Sequence, residues 1–137
     1  MNLRINIDVP DLVSATAFYQ EALGLKVNRL LDDDVAELTG ASSLIYLLAI
    51  PPGSSSADDK GDTRRYTRHW TAVHIDFEVD DLEEASARAR KAGAIQESAC
   101  VEWMGSSCIT FADPFGHGFC LIKFAETTYR PGPHHPS

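Results

Sequence analysis

Leu3-Arg4-Ile5-Asn6-Ile7-Asp8-Val9-Pro10-Asp11-Leu12 opens the chain, and Val73-His74-Ile75-Asp76-Phe77-Glu78-Val79-Asp80-Asp81-Leu82 repeats its pattern about half a chain later. Each stretch alternates apolar and polar residues, the period of a strand with two unlike faces. Each then reaches an aspartate placed to cap a helix; Asp81 with Glu84 is a capping-box pattern, and Asp11 with Ser14 a weaker one. The following residues read as amphipathic helices. Leu12, Ala15, Tyr19 and Ala22 share one face, and Leu82, Ala85, Ala89 and Ala92 share the equivalent face. Gly24 and Gly93 supply the helix stops.

Short strand candidates follow each helix: 26–31, 35–38 and 44–50 in the first half, and 95–103, 107–111 and 118–124 in the second. Each half therefore reads strand–helix–strand–strand–strand. The division is a first module over 1–50, a linker over 51–70, a second module over 71–125 and a loose tail over 126–137, together one composite domain. The predicted class is α+β. The segment 51–70 is rich in Pro, Gly, Ser and charge, the composition of a mobile linker. Its Arg64, Arg65 and Arg68 form the chain's basic cluster and read as a solvated loop. His134 and His135 in the tail read as surface residues.

At 137 residues the chain suits one domain. Twelve Lys and Arg against twenty Asp and Glu give a net charge of −8. That balance disfavours nucleic acid and anionic membranes as partners, and it is compatible with neutral or cationic small ligands. No apolar run approaches the roughly 20 residues of a membrane span, and the first residues lack a signal peptide's apolar core. The expectation is a soluble, cytoplasmic protein. Three cysteines, Cys100, Cys108 and Cys120, with no CxxC spacing, argue against a disulfide framework and a thiolate zinc site.

The helices must cover Ile5, Ile7 and Val9 in one half and Ile75, Phe77 and Val79 in the other. The opposite faces carry Arg4, Asn6 and Asp8, and His74, Asp76 and Glu78. Two matching polar strands in a two-fold repeat favour a shared, ligand-lined cleft.

These residues resemble the vicinal oxygen chelate superfamily, which includes glyoxalase I, bleomycin resistance proteins and extradiol dioxygenases. The resemblance rests on INIDVPDL with FYQEALGL in the first half, and on HIDFEVDDLEEA, KAGA and FADPFGHGFCLIKF in the second. It implies paired βαβββ modules forming a cup-shaped mixed sheet, often completed as a homodimer. It also implies divalent-metal ligands on the first and last strands of each module. Carried over, those positions fall on Arg4, near Tyr46, on His74 and on Cys120.

Of these, only His74 keeps the ligand type, because a guanidinium has no lone pair to give. The expected function is therefore metal-independent binding of a small organic molecule in the cup, with no cofactor. Arg4, Asn6, Tyr46, His74, Asp76, Trp103 and Cys120 would line the site. Arg4 is expected to pair with Asp76 or Glu78, Trp103 and Tyr46 to stack on a flat ligand, and Cys120 to form a wall. The alternative is a glyoxalase-like lyase or isomerase, or a dioxygenase, holding a metal at His74 with Asp76 or Glu78. A metabolite-sensing domain is a third reading. Asp113–Cys120 reads as a structural turn, with His117 outside the ligand set.

Overall fold

The computed structural model describes residues 1–55 and 62–125, so the tail and part of the linker lie outside the described residues. In chain order the elements are β1 (Arg4–Val9), α1 (Leu12–Leu23), β2 (Lys26–Leu31), β3 (Val35–Thr39), β4 (Leu44–Ala49), β5 (Ile75–Glu78), α2 (Leu82–Ala92), β6 (Ile95–Gln96), β7 (Val101–Trp103), β8 (Ser106–Ala112) and β9 (Gly118–Lys123). The two βαβββ modules are present in an α+β fold.

The helix ends follow the predicted chemistry. The Asp11 side chain accepts the Ser14 N–H at 2.9 Å, and the Asp81 side chain accepts the Glu84 N–H at 3.0 Å. Gly24 closes α1 and Gly93 closes α2 in left-handed conformations, at φ 69° and 115°. Glu83 and Glu84 begin α2 and Arg90 and Lys91 end it, complementing its dipole.

Each module keeps its own sheet. The first runs β1-β4-β3-β2; the second runs β5-β9-β8-β6, with β7 also on β8. The β1–β4 and β5–β9 pairs are parallel and the rest antiparallel. The predicted strand 95–103 is split in two. At the break the Ser98 hydroxyl accepts the Thr110 N–H at 3.0 Å, taking the place of a backbone carbonyl in the ladder. A two-residue turn then joins β7 to β8, with Met104 at φ 49° and Gly105 at φ 82°. Positive φ at both central positions matches the twist of a tight hairpin.

α1 and α2 pack on each other, and the apolar faces of both sheets close over them in one core. Val9, Leu38, Ile45, Leu47, Phe111 and Leu121 are buried there. Phe18 of α1 meets Phe115 and Phe119 edge-on, at centroid distances of 6.3 and 6.5 Å, so one ring from the first module packs into the second. The polar face of each sheet points away from this shared core.

The described part of the linker is pinned, contrary to the mobility its composition suggests. Arg64 Nε donates to Asp8 Oδ2 at 2.7 Å, and Arg68 grips both Glu97 oxygens at 2.6 Å. The Tyr66 hydroxyl donates to the Ile50 carbonyl at 2.6 Å. Composition reports average solvation and is silent about such specific bonds.

Candidate functional site

Strand register places the functional side chains. On the first sheet Asn6, Tyr46 and Glu37 stand side by side on the polar face. A bulge between Val27 and Arg29 turns both Asn28 and Arg29 to that same face. The result is a closed network around the buried Glu37 carboxylate. Tyr46 Oη donates to it at 2.6 Å, Asn28 Nδ2 at 2.7 Å, and Arg29 through Nε at 3.1 Å and Nη2 at 3.2 Å. These donors, Tyr46 foremost, hold the Glu37 carboxyl down at about 2. The sequence reading did not single out Glu37.

On the second sheet Asp76 lies opposite Cys120, and Cys120 opposite Thr110. His74 Nε2 is 3.2 Å from Asp76 Oδ1. His74, Asp76 and Cys120 each offer a ligand atom, all within 4.8 Å of one another. The Trp70 ring lies 5.0 Å from the His74 ring. Cys120 Sγ is 3.5 Å from Thr110 Oγ1. Burial, aided by neighbouring Cys120 and Asp76, pushes the Cys108 thiol up to about 11, so it is protonated at neutral pH.

The seven predicted residues thus fall into two groups. The structure gathers His74, Asp76 and Cys120 on one sheet, with Trp103 exposed at that sheet's outer hairpin. It places Arg4, Asn6 and Tyr46 on the other. Among the described residues no hydrogen bond or ion pair joins Arg4, Asn6 or Tyr46 to His74, Asp76 or Cys120. The expected pairing of Arg4 with Asp76 or Glu78 is not formed: Asp76 is taken by His74, and Arg4 is exposed, with no salt bridge among the described residues. Tyr46 is buried and committed to Glu37.

Where the modules meet, a cleft of about 850 Å³ opens between β1 and β5. Asn6 and His74 line it, beside Tyr66 of the pinned loop and His117 of the β8–β9 turn. The turn is organised by Asp113, which is fully buried at its side chain. Its Oδ1 accepts the N–H groups of Phe115 and His117 at 2.9 and 2.8 Å. Its Oδ2 accepts from Tyr19 Oη at 2.6 Å and lies 2.7 Å from His117 Nδ1. Burial and the Asp113 charge push the Tyr19 hydroxyl well above the usual phenolic range, so it remains a donor.

The glyoxalase-like domain matches residues 4–122. The chain belongs to that family. Members of the wider glyoxalase, bleomycin resistance and dioxygenase group share its fold among solved structures. A glyoxalase-related enzyme from Fulvimarina pelagi superposes with a TM-score of 0.72 at 15% identity, covering 99% of this chain and 95% of that one. A glyoxalase/bleomycin resistance protein/dioxygenase family enzyme from Burkholderia phytofirmans gives 0.69 at 18% identity, covering 89% and 97%. The genomically encoded fosfomycin resistance protein of Listeria monocytogenes gives 0.68 at 19% identity, covering 91% and 93%. No curated protein sequence matches the chain.

Two of the superfamily's four metal-ligand positions carry no ligand in this glyoxalase-like chain. On the first sheet, Arg4 has no lone pair to give, and the Tyr46 hydroxyl is committed to Glu37. Only His74 and Cys120, on the second sheet, are of ligand type. Asp76 beside them makes a set of three donors from one wall, without a donor from the other. No helix of the described residues is long and apolar enough to cross a membrane.

Proposed function

We propose that this glyoxalase-like protein binds a small organic molecule on the concave sheet faces without a metal. The observation that carries the reading is the contrast between the two walls. The second wall presents an accessible His74–Asp76 pair at 3.2 Å next to Cys120. The first wall presents the Arg4 cation and a Tyr46–Glu37 pair already bonded at 2.6 Å. Such a site offers hydrogen bonds and charge to a ligand, while two of the four positions where the superfamily places metal ligands, Arg4 and Tyr46, have none to give. The His74 ring can hydrogen-bond a ligand heteroatom, with Asp76 orienting it. Trp70 and Trp103 give flat apolar surface near that wall. The acidic balance of the chain favours neutral or cationic ligands. A second copy of the chain would bring the opposite wall over the first, and the compartment we assign is the cytoplasm.

The clustering of His74, Asp76 and Cys120 within 4.8 Å favours one second reading, a metal held by these three in a lyase, isomerase or dioxygenase. Metal analysis of protein purified without chelator, beside His74→Ala, separates the two. The binding reading expects no bound metal in either protein after incubation with excess divalent ions, and thermal-shift hits that His74→Ala loses. Stoichiometric metal that disappears with His74→Ala overturns it.

A further inference from the structure

We propose that a pocket on the outer side of the second sheet binds a free α-amino acid with a small apolar side chain, and that the hydroxyl of Ser86 is its anchor. The pocket, of about 390 Å³, lies between α2 and the β8–β9 ladder. On β8 its residues Ser107 and Ile109 alternate with Cys108 and Thr110, and Thr110 stands opposite Cys120. The pocket therefore opens on the other face of the sheet from Cys120, apart from the concave site. Ser86 lines it at 2% exposure, and its Oγ has no hydrogen-bond partner among the described residues. A helical serine usually bonds the carbonyl one turn back; this one does not. A buried hydroxyl without a partner destabilises a fold, and a ligand atom that bonds it removes that cost.

The groups around Ser86 select the class of ligand. Glu83 lies three residues before it and Arg90 four residues after, so α2 presents a carboxylate, a hydroxyl and a guanidinium along one face. Lys123 of β9 lines the same pocket. Glu83, Arg90 and Lys123 form no ion pair among the described residues. Arg90 gives Nη1 to Gln96 Oε1 at 2.8 Å and keeps its other N–H groups. A lone anion in this pocket would meet Glu83, and a lone cation would meet Arg90 and Lys123; a ligand carrying both charges satisfies all three. The head group of an α-amino acid holds both on one carbon. Seated over Ser86, its carboxylate accepts from the Ser86 hydroxyl, Arg90 and Lys123, and its ammonium donates to Glu83. Leu82 and Ile109 supply apolar surface for the side chain, and the volume, near the lower end for ligand pockets, keeps that side chain small.

The test titrates L-valine into the whole protein beside isovalerate, which lacks its ammonium, and isobutylamine, which lacks its carboxylate, and follows the backbone amides by NMR. L-valine should bind tightest and shift the amides of Ser86 and Ile109, with those of His74 and Asp76 unmoved. Ser86→Ala should weaken L-valine about ten-fold, the worth of one hydrogen bond to a charged group. The same substitution should leave the melting temperature of the free protein equal or higher, because it removes a buried hydroxyl that bonds nothing. Arg90→Gln and Glu83→Gln, both at exposed positions, should each weaken L-valine several-fold. The proposal is overturned if L-valine does not bind, if it binds no tighter than the acid or the amine, or if its shifts fall on His74 and Asp76. It is equally overturned if Ser86→Ala melts lower than the parent, which would place the hydroxyl in a bond within the fold, or if the substitutions leave the affinity for L-valine unchanged.

Discussion

Tyr19 Oη donates to Asp113 Oδ2 across 2.6 Å, joining the helix of the first module to a turn of the second. Both groups are buried, and the bond spans 94 residues of chain. It locks the two modules in one orientation, which in turn sets the width of the cleft between β1 and β5.

Tyr19→Phe keeps the ring and removes only that donor. It leaves a buried carboxylate with one bond fewer, which should cost about 1–3 kcal/mol of stability. Chemical denaturation of the two proteins side by side measures it. A change under a few tenths would mean that the hydroxyl is not what holds the modules together.

Glu37 sets an acid limit on the first module. Its folded-state value of about 2 lies below the ordinary glutamate value of 4.5, so folding favours the ionised form. The stabilisation is present in full above pH 4.5 and fades as pH falls through 2. Glu37→Gln should melt lower than the parent at neutral pH, with the gap narrowing through this acid window. Melting curves at a series of pH values check it; a constant gap at every pH would refute the assignment.

Gly116 holds the pinned loop against the β8–β9 turn. It sits at φ 95°, and a Cβ there would lie 2.9 Å from the Tyr66 carbonyl oxygen. Gly116→Ala meets both strain and a backbone clash, costing of order 1–3 kcal/mol. The loop should lift, exposing the half-buried Arg64 and Arg68. Limited trypsin digestion should then cut the variant there much faster than the parent; equal rates would show that the loop is held by its ion pairs alone.

The strand–helix repeat was legible because alternation, caps and glycine stops are local signals, and Asp11, Asp81, Gly24 and Gly93 all act as read. Register was not. Glu37 went unnoticed because its network depends on the bulge before Arg29, which breaks the alternation that a strand reading assumes. Pro114 and the glycines place His117 in a turn, and the structure has that turn: Asp113 Oδ1 accepts the two backbone N–H groups. Turn composition does not mark the second oxygen of the same carboxylate, which takes the ring. The aspartate–histidine spacing of four residues in DPFGH was the available signal. The split of the strand over 95–103 turned on a single serine hydroxyl, Ser98, which no periodicity marks.

The three cysteines should separate by reactivity. Cys100 is exposed, Cys108 half-buried and Cys120 buried. Since the thiolate is the nucleophile, a Cys108 thiol held up to about 11 is almost wholly protonated at pH 8. Iodoacetamide at that pH should therefore label Cys100 first, with Cys108 lagging well behind it, and the Cys108 rate should climb steeply only as pH approaches 11. Asp76 is one of the charges opposing the Cys108 thiolate, so Asp76→Asn should move that climb to lower pH. Peptide mapping of the alkylated protein resolves the sites. Equal early labelling of Cys100 and Cys108 would mean that Cys108 does not sit on the desolvated wall beside Asp76 and Cys120, and the geometry of the second wall would have to be redrawn.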